Sequence, residues 1–184
     1  RKVVSTWGRI MVPLQDDMES VIERLQKVFG IYSMSPVLQV EKSLTGLQQG
    51  ALTILKEVLP HGGTFKVETR RADKNFPMLS PDISLQVANY LFDQIDDRYD
   101  ADLHHPQKTI HLEIRDEGAY VYGDTIAGAK GMPVGTGSKA VILLSGGIDS
   151  PVAFWYGLKR GVDITAVHFH SFPFTSERAK EKVV

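Results

Sequence analysis

Apolar positions along the chain recur with a changing period, and those changes mark out its elements. Ile10, Val12 and Leu14 recur at every second position, as in a half-buried strand. Val21, Ile22, Leu25, Val28 and Phe29 then follow a 3.6-residue period, with Asp16 or Asp17 as the cap and Gly30 placed to end the helix. Residues 31–40 read as extended. Ser43 opens a second helix with Leu47, Ala51, Ile54, Leu55 and Val58 on one face, stopped by Pro60 and Gly62-Gly63. This strand–helix–strand–helix order predicts a first α+β unit over 1–62, its helices on one face of a small sheet.

A second unit is expected over 63–130. It begins with a strand at 64–70. A helix follows with Ser80 as N-cap, Pro81 in the first turn, and Val87, Ala88, Leu91, Phe92 and Ile95 inward. A hairpin comes next, with Ile110, Leu112 and Ile114 on one arm and Tyr120, Tyr122 and Thr125 on the other. Asp116-Glu117-Gly118 makes its turn, Gly118 being able to take a positive φ. Gly128, Gly131, Pro133, Gly135 and Gly137 crowd the next stretch, and 131–138 reads as a linker.

The third unit, 139–184, opens with Ala140-Val141-Ile142-Leu143-Leu144, a continuous apolar run expected of a parallel strand buried on both faces. A loop, a helix over about 151–160 ended by Gly161, and a strand over 164–169 complete the start of a doubly wound α/β sheet. Such a domain needs on the order of 150 residues. The sequence therefore reads as part of a longer protein, and its lack of an initial Met suggests a trimmed N-terminus.

Composition narrows the chemistry. The 184 residues carry 21 Lys plus Arg against 22 Asp plus Glu, so only local clustering can argue for a nucleic-acid partner. No cysteine is present, which removes disulfides and thiolate chemistry from these residues. No apolar run is long enough to span a membrane, and 1–8 lack a signal-peptide core. The simplest expectation is a cytoplasmic protein without a membrane partner.

The chemistry concentrates at Ser145-Gly146-Gly147-Ile148-Asp149-Ser150. A loop between a buried strand and a helix N-terminus meets unpaired N–H groups and the positive end of the helix dipole. Gly146 and Gly147 let the backbone approach phosphate oxygens and take positive φ, while Ser145 and Ser150 offer hydroxyl donors. Asp149 would repel a bare phosphate, so its expected task is to hold Mg²⁺ with the phosphates of ATP, or to fix the loop. The plainer alternative is a tight turn with Asp149 or Ser150 as a helix cap. A Walker loop is excluded because no Gly-Lys-Ser or Gly-Lys-Thr is present, and a dinucleotide fingerprint by the glycine spacing. The backbone of Leu143, Leu144, His168 and Phe169 is placed to edge an adenine, with Phe169 as an apolar wall. His168 and His170 lack a third ligand for zinc.

The segment Leu143-Leu144-Ser145-Gly146-Gly147-Ile148-Asp149-Ser150-Pro151-Val152-Ala153 resembles the PP-loop of the tRNA 4-thiouridine synthetases. Lys159-Arg160-Gly161-Val162 and 167–175 look like its continuation. Upstream, Thr69-Arg70-Arg71-Ala72-Asp73-Lys74-Asn75-Phe76-Pro77 and His104-His105-Pro106 resemble the THUMP signature. Residues 1–60 look, more weakly, like the family's ferredoxin-like domain. The resemblance implies a ferredoxin-like domain, a THUMP domain and the beginning of a PP-loop domain. It also implies ATP-dependent adenylation of a tRNA uridine at O4, with Asp149 catalytic, followed by sulfur transfer from a persulfide donor such as a cysteine desulfurase. A link to sulfur supply for thiamine belongs to the same family, and a homodimer is kept open. Other PP-loop ligases or amidotransferases, and an RNA-binding module with an inert loop, are the alternatives. The family's catalytic cysteine falls later than these residues.

For RNA, Lys66, Arg70, Arg71 and Lys74 stand against Glu68 and Asp73 over 61–75, a net +2, whereas five Asp against Arg98 make 91–103 net −4. Arg70, Arg71 and Lys74 are expected to meet phosphates and Phe76 to stack on a base. A solvated charged loop, with Phe76 in the core, is the alternative. The trio Phe154-Trp155-Tyr156 is expected to serve packing rather than binding.

Overall fold

The structure is a computed structural model and describes residues 3–6, 9–13, 17–170 and 181. In chain order its elements are β1 (Val4–Thr6), β2 (Arg9–Met11), α1 (Met18–Gln26), β3 (Ser33–Met34), β4 (Leu38–Val40), α2 (Leu44–Val58), β5 (Gly63–Arg71) and α3 (Ser80–Gln94). There follow β6 (Tyr99–Ala101), β7 (Lys108–Arg115), β8 (Gly118–Tyr122), β9 (Ile126–Ala127), β10 (Lys139–Leu143), α4 (Asp149–Lys159) and β11 (Asp163–Val167). The chain divides into two compact units, Ser35–Ile126 and a discontinuous one made of Arg1–Met34 with Ala127–Val184.

The Ser35–Ile126 unit is a five-stranded sheet in the order β4-β8-β7-β5-β6. β5 runs parallel to β6 and β7, while β8 is antiparallel to β7 and β4. Both long helices supply its core. Leu47, Ala51, Ile54 and Leu55 of α2 and Ile83, Val87 and Leu91 of α3 cluster with Phe65, Ile110, Leu112, Ile114, Ala119 and Val121 of the sheet. The expected boundary at 62/63 therefore falls inside this unit. Pro60 and Gly62-Gly63 mark a tight helix-to-strand connection, because α2 has its apolar face on the same core as β5.

Local signals held at several ends. Ser43 caps α2, its side chain accepting the Gly46 N–H at 3.0 Å. Asp17 caps α1 by accepting from the Ser20 N–H at 3.2 Å, whereas Asp16 and Leu14 lie outside the described residues. α1 ends at Gln26, earlier than Gly30. Ser80 is already helical, with Leu79 as a cap that makes no side-chain bond. Pro81, in the first turn, removes one of the N–H groups that a cap would otherwise serve. Gly118 is a strand residue and is absent from the positive-φ glycines. On its arm, Ala119 and Val121 face the core, not the tyrosines. Phe92 is exposed at its edge, although its ring meets Phe65 at 5.5 Å.

The loop after β5 is pinned rather than loose. Its Ala72 and Asp73 N–H groups both donate to the Ile114 carbonyl. Arg71 Nη1 donates to the carbonyls of Lys74 (3.3 Å) and Phe76 (2.8 Å). The buried Asp73 pairs with Lys42 Nζ at 2.5 Å, and Lys42 Nζ also reaches the Asp116 carbonyl at 3.2 Å. The Lys42 ammonium, followed by the Asn75 N–H, holds the Asp73 carboxyl below its ordinary range. A carboxyl lowered in the folded state stabilises the fold above its unfolded pKa of about 3.9, and that contribution is lost as pH falls through the lowered value. Lys42→Ala is therefore expected to lower the melting temperature at pH 7, with variant and parent converging as acid protonates Asp73. Thermal melts across that range check this, and a gap independent of pH would contradict it.

In the discontinuous unit, β1 and β2 pair antiparallel, with Val4 opposite Met11. β10 and β11 pair parallel from Lys139↔Asp163 to Leu143↔Val167. β10 is not buried on both faces: Val141 is 68% and Leu143 60% exposed. Among the described residues its sheet consists of β10 and β11 alone, and α4 is the helix that packs on it. The expected linker is also built in. Gly135 and Gly137 N–H groups donate to the Gly161 carbonyl, and Met132 N–H to that of Lys159.

Candidate functional site

The loop Ser145–Ser150 stands where the parallel strands end and α4 begins. Ser150 shapes it. Its Oγ accepts the Ser145 N–H at 3.1 Å and donates to the Ser145 carbonyl at 3.1 Å. Ser145 Oγ lies 3.3 Å from Ser150 Oγ and accepts, at 3.4 Å, from the Gly147 N–H. The two hydroxyls close the loop on itself. Neither Gly146 nor Gly147 takes a positive φ. A Cβ on Gly147 would make only an ordinary contact, 3.4 Å from Ser145 Oγ, so the loop's own packing does not require a glycine there.

α4 starts at Asp149 and has no side-chain cap. The cap expected of Asp149 or Ser150 is therefore not made, and the first-turn amides keep their capacity for an anion. Pro151, the third helical residue, has no donor to leave unpaired. Ile148 is 85% exposed, and Asp149 is exposed beside it. One carboxylate at a phosphate loop suits Mg²⁺, which takes most of its ligands from phosphates and water. No cluster of three metal-ligating side chains exists among the described residues.

The adenine edge is more constrained than expected. The Leu144 N–H donates to the Val167 carbonyl at 2.8 Å. The Leu144 carbonyl lies 2.7 Å from His168 Nδ1, so the ring donates from that nitrogen. Both polar backbone groups of Leu144 thus have partners. His168 Nε2 is left as a buried acceptor with no partner among the described residues. Phe169 is 74% and Leu143 60% exposed, each offering apolar surface.

The residues proposed for RNA separate into two groups. Arg70 and Lys74 are exposed at the end of β5 and on its following loop. Lys66 is partly buried, 3.5 Å from Glu68. Arg71 spends its guanidinium on the loop carbonyls, and Phe76 is only 6% exposed within the core. Phe76 does not stack on a base, because its ring fills the space under the loop that Arg71 ties down. The acidic stretch is also used locally. Asp96 binds Arg98 through both carboxylate oxygens, and Asp102 Oδ1 accepts the His104 and His105 N–H groups. Sequence reasoning missed Lys42 and the burial of Asp73; the signal was a lone Asp inside an otherwise basic loop.

Comparison with known proteins agrees with this division. The THUMP domain profile matches residues 41–124, that of the ThiI ferredoxin-like domain 1–35, and that of the thiamine biosynthesis protein (ThiI) 135–184. A probable tRNA sulfurtransferase of Moorella thermoacetica is 50% identical over 184 residues, 100% of this chain and 46% of the relative. Over its whole length the chain is similar to the tRNA sulfurtransferases. A probable tRNA sulfurtransferase of Brevibacillus brevis is 46% identical over 99% of this chain and 46% of its own length. Among solved structures, a 4-thiouridine synthetase in complex with RNA and ATP superposes with a TM-score of 0.90 at 40% identity, over 99% of this chain and 47% of that one. A Pyrococcus horikoshii protein gives 0.86 at 28% identity, over 99% and 62%. The chain spans about half the length of the curated relatives it matches. The THUMP match begins at residue 41, which agrees with the placement of α2 in the second unit.

Proposed function

We propose that this chain supplies the RNA-binding part and the phosphate loop of a tRNA 4-thiouridine synthetase. The observation that carries the proposal is the presence, in one chain, of a THUMP-like sheet unit and an uncapped helix N-terminus behind a serine-closed Gly-Gly loop. The solved relative's complex with RNA and ATP supports the same pairing of ligands.

In this reading the α4 amides and the loop hold the ATP phosphates. Asp149 would hold Mg²⁺, which neutralises charge on the phosphates. The base lies against Phe169 and Leu143, with His168 held at the strand end by its Nδ1–H donating to the Leu144 carbonyl. Uridine O4 attacks the α-phosphorus of ATP and pyrophosphate leaves. A carbonyl oxygen is a poor leaving group, but as an AMP ester it departs readily. The outer sulfur of a persulfide, passed on by a donor such as a cysteine desulfurase, then attacks C4 and displaces AMP, and a thiol from outside these residues reduces the resulting disulfide, leaving sulfur on C4 and a disulfide on the thiol carrier. The same cytoplasmic enzyme would pass sulfur toward thiamine, in keeping with the name of the matched profile. The full-length protein tests the proposal: incubation with tRNA, ATP and a persulfide donor should release pyrophosphate and yield 4-thiouridine together, and pyrophosphate release indifferent to tRNA would refute it.

Arg70 and Lys74 carry the RNA contact. Arg70→Ala with Lys74→Ala is expected to weaken tRNA binding and to lower the slope of log affinity against log salt by roughly one for each phosphate no longer neutralised. Filter binding at several salt concentrations measures both, and an unchanged slope would remove these residues from the interface.

A further inference from the structure

The glycine-rich segment 128–137 is not built as a tether. At one end it is hydrogen-bonded to the chain just after α1. The Gly128 N–H donates to the Tyr32 carbonyl, the Lys130 N–H to that of Ile31 and the Gly30 N–H to that of Lys130, at 2.8–3.0 Å. Lys130 takes a left-handed φ of 58° to do so, and its ammonium lies 4.9 Å from the centre of the Tyr32 ring. At the other end it closes over the C-terminus of α4. Met132 donates to the Lys159 carbonyl, and Gly135 and Gly137 both donate to that of Gly161. Phe29 meets the Trp155 ring edge-on at 5.4 Å, and Lys159 Nζ lies 4.6 Å from the centre of the same ring.

Two glycines make this approach feasible. Gly131 (φ 80°) and Gly161 (φ 79°) both occupy the region costly to other residues. A Cβ on Gly131 would overlap the Lys159 carbonyl, and one on Gly161 would overlap Thr136 Oγ1. Close backbone packing, rather than freedom, is what these glycines provide.

The helix held in this way is the one whose other end forms the phosphate loop. Its 11 residues span about 16 Å. A rigid rod fixed at its C-terminus has its N-terminus fixed as well. We propose that residues 128–137 are a brace that joins the end of α1 to α4 as one body, with Gly131 and Gly161 as positioning residues for the phosphate loop. The consequence for turnover rests on the function proposed above; the brace itself does not. Reaction rates are steep in placement, and a misplacement of about 1 Å can cost on the order of a hundredfold.

The test separates a brace from a linker. A linker tolerates added length at little thermodynamic cost. In the full-length enzyme, a Gly-Ser-Gly insertion between Lys130 and Gly131 should leave tRNA and ATP dissociation constants within about twofold and lower kcat for thiolation by about tenfold or more. Gly131→Ala should act in the same direction, and the insertion, which introduces no overlap, covers the case in which that variant fails to fold. Unchanged kcat, or a loss explained by weaker binding of either ligand, overturns the proposal. Hydrogen exchange decides the physical part without any activity. The amides of Gly30, Lys130, Gly135 and Gly137 should be protected in the parent and the first two released by the insertion, whereas exchange at the rate of an open linker in the parent would rule out a brace. If the parent makes no 4-thiouridine, the function fails and the exchange data still judge the brace.

Discussion

Asp149→Ala is expected to reduce tRNA-dependent exchange of pyrophosphate into ATP by about a hundredfold or more in the full-length enzyme, the scale of removing one preorganised electrostatic group from a reacting centre. The reasoning begins with placement. Asp149 is the first residue of α4, exposed at the mouth of a loop whose shape depends on Ser145 and Ser150. Its carboxylate makes no cap, so removing it leaves the hydrogen bonds of the loop in place. Stability should change little, and a negative group removed from the N-terminal turn costs no more than about 1 kcal/mol through the helix dipole. ATP affinity should fall modestly and the exchange rate severely, because charge on the leaving pyrophosphate grows during the reaction. Asp149→Asn should behave like the alanine variant, since an amide keeps the shape and loses the charge. Exchange that survives either substitution would leave Asp149 with no catalytic role.

Phe76→Ala is expected to destabilise the Ser35–Ile126 unit by about 3–5 kcal/mol, the usual cost of deleting a buried aromatic ring. Denaturant titration of the full-length protein would show it as a lowered midpoint for that unit. A base-stacking Phe76 would behave in the opposite way, with stability unaffected and RNA affinity reduced at every temperature. The ring is 6% exposed and belongs to the same cluster as Ile83 and Ile114, so any loss of RNA affinity should follow the unfolding of the loop. Near the midpoint, such a loss can be reversed by lowering the temperature or denaturant concentration; an absent stacking partner cannot be restored that way.

Periodic signals translated well in the Ser35–Ile126 unit but not before it, where α1 has no buried residue and Ile10 is 69% exposed. The inward positions Leu47, Ala51, Ile54 and Leu55, and later Val87 and Leu91, are buried as their 3.6-residue spacing requires. The Ser43 and Asp17 caps act through bonds to neighbours three residues away, which a local sequence window contains. The strand–loop–helix–strand setting of the phosphate loop was legible for the same reason. What failed depended on distant parts of the chain. Phe76 stands alone in a charged loop, so no period marks it, and its burial is decided by residues that only the folded sheet brings near. Pro60 and Gly62-Gly63 were legible as a stop, but a stop inside a unit and a stop between units use the same residues. The glycines of 128–137 have the composition of a tether, and only the carbonyls of Lys159 and Gly161 reveal what they approach. The serines of the loop face each other because Ser150 reaches back five residues to Ser145, an approach that depends on the turn geometry.

The hydroxyls of Ser35 and Thr125 lie 3.3 Å apart, although 90 positions separate them in the chain. The unit that carries Arg70 and Lys74 therefore begins and ends at one point, and it is an insertion within a unit whose own two segments flank it. A module with coincident ends behaves like a loop of its host. It can be lifted out and its host rejoined by a few residues, or grafted into another host at any exposed turn, because neither operation pulls the cut ends apart. The sheet unit is, in that sense, a detachable cartridge: it can change without redrawing the path of the polypeptide that leads to the Ser145–Ser150 loop.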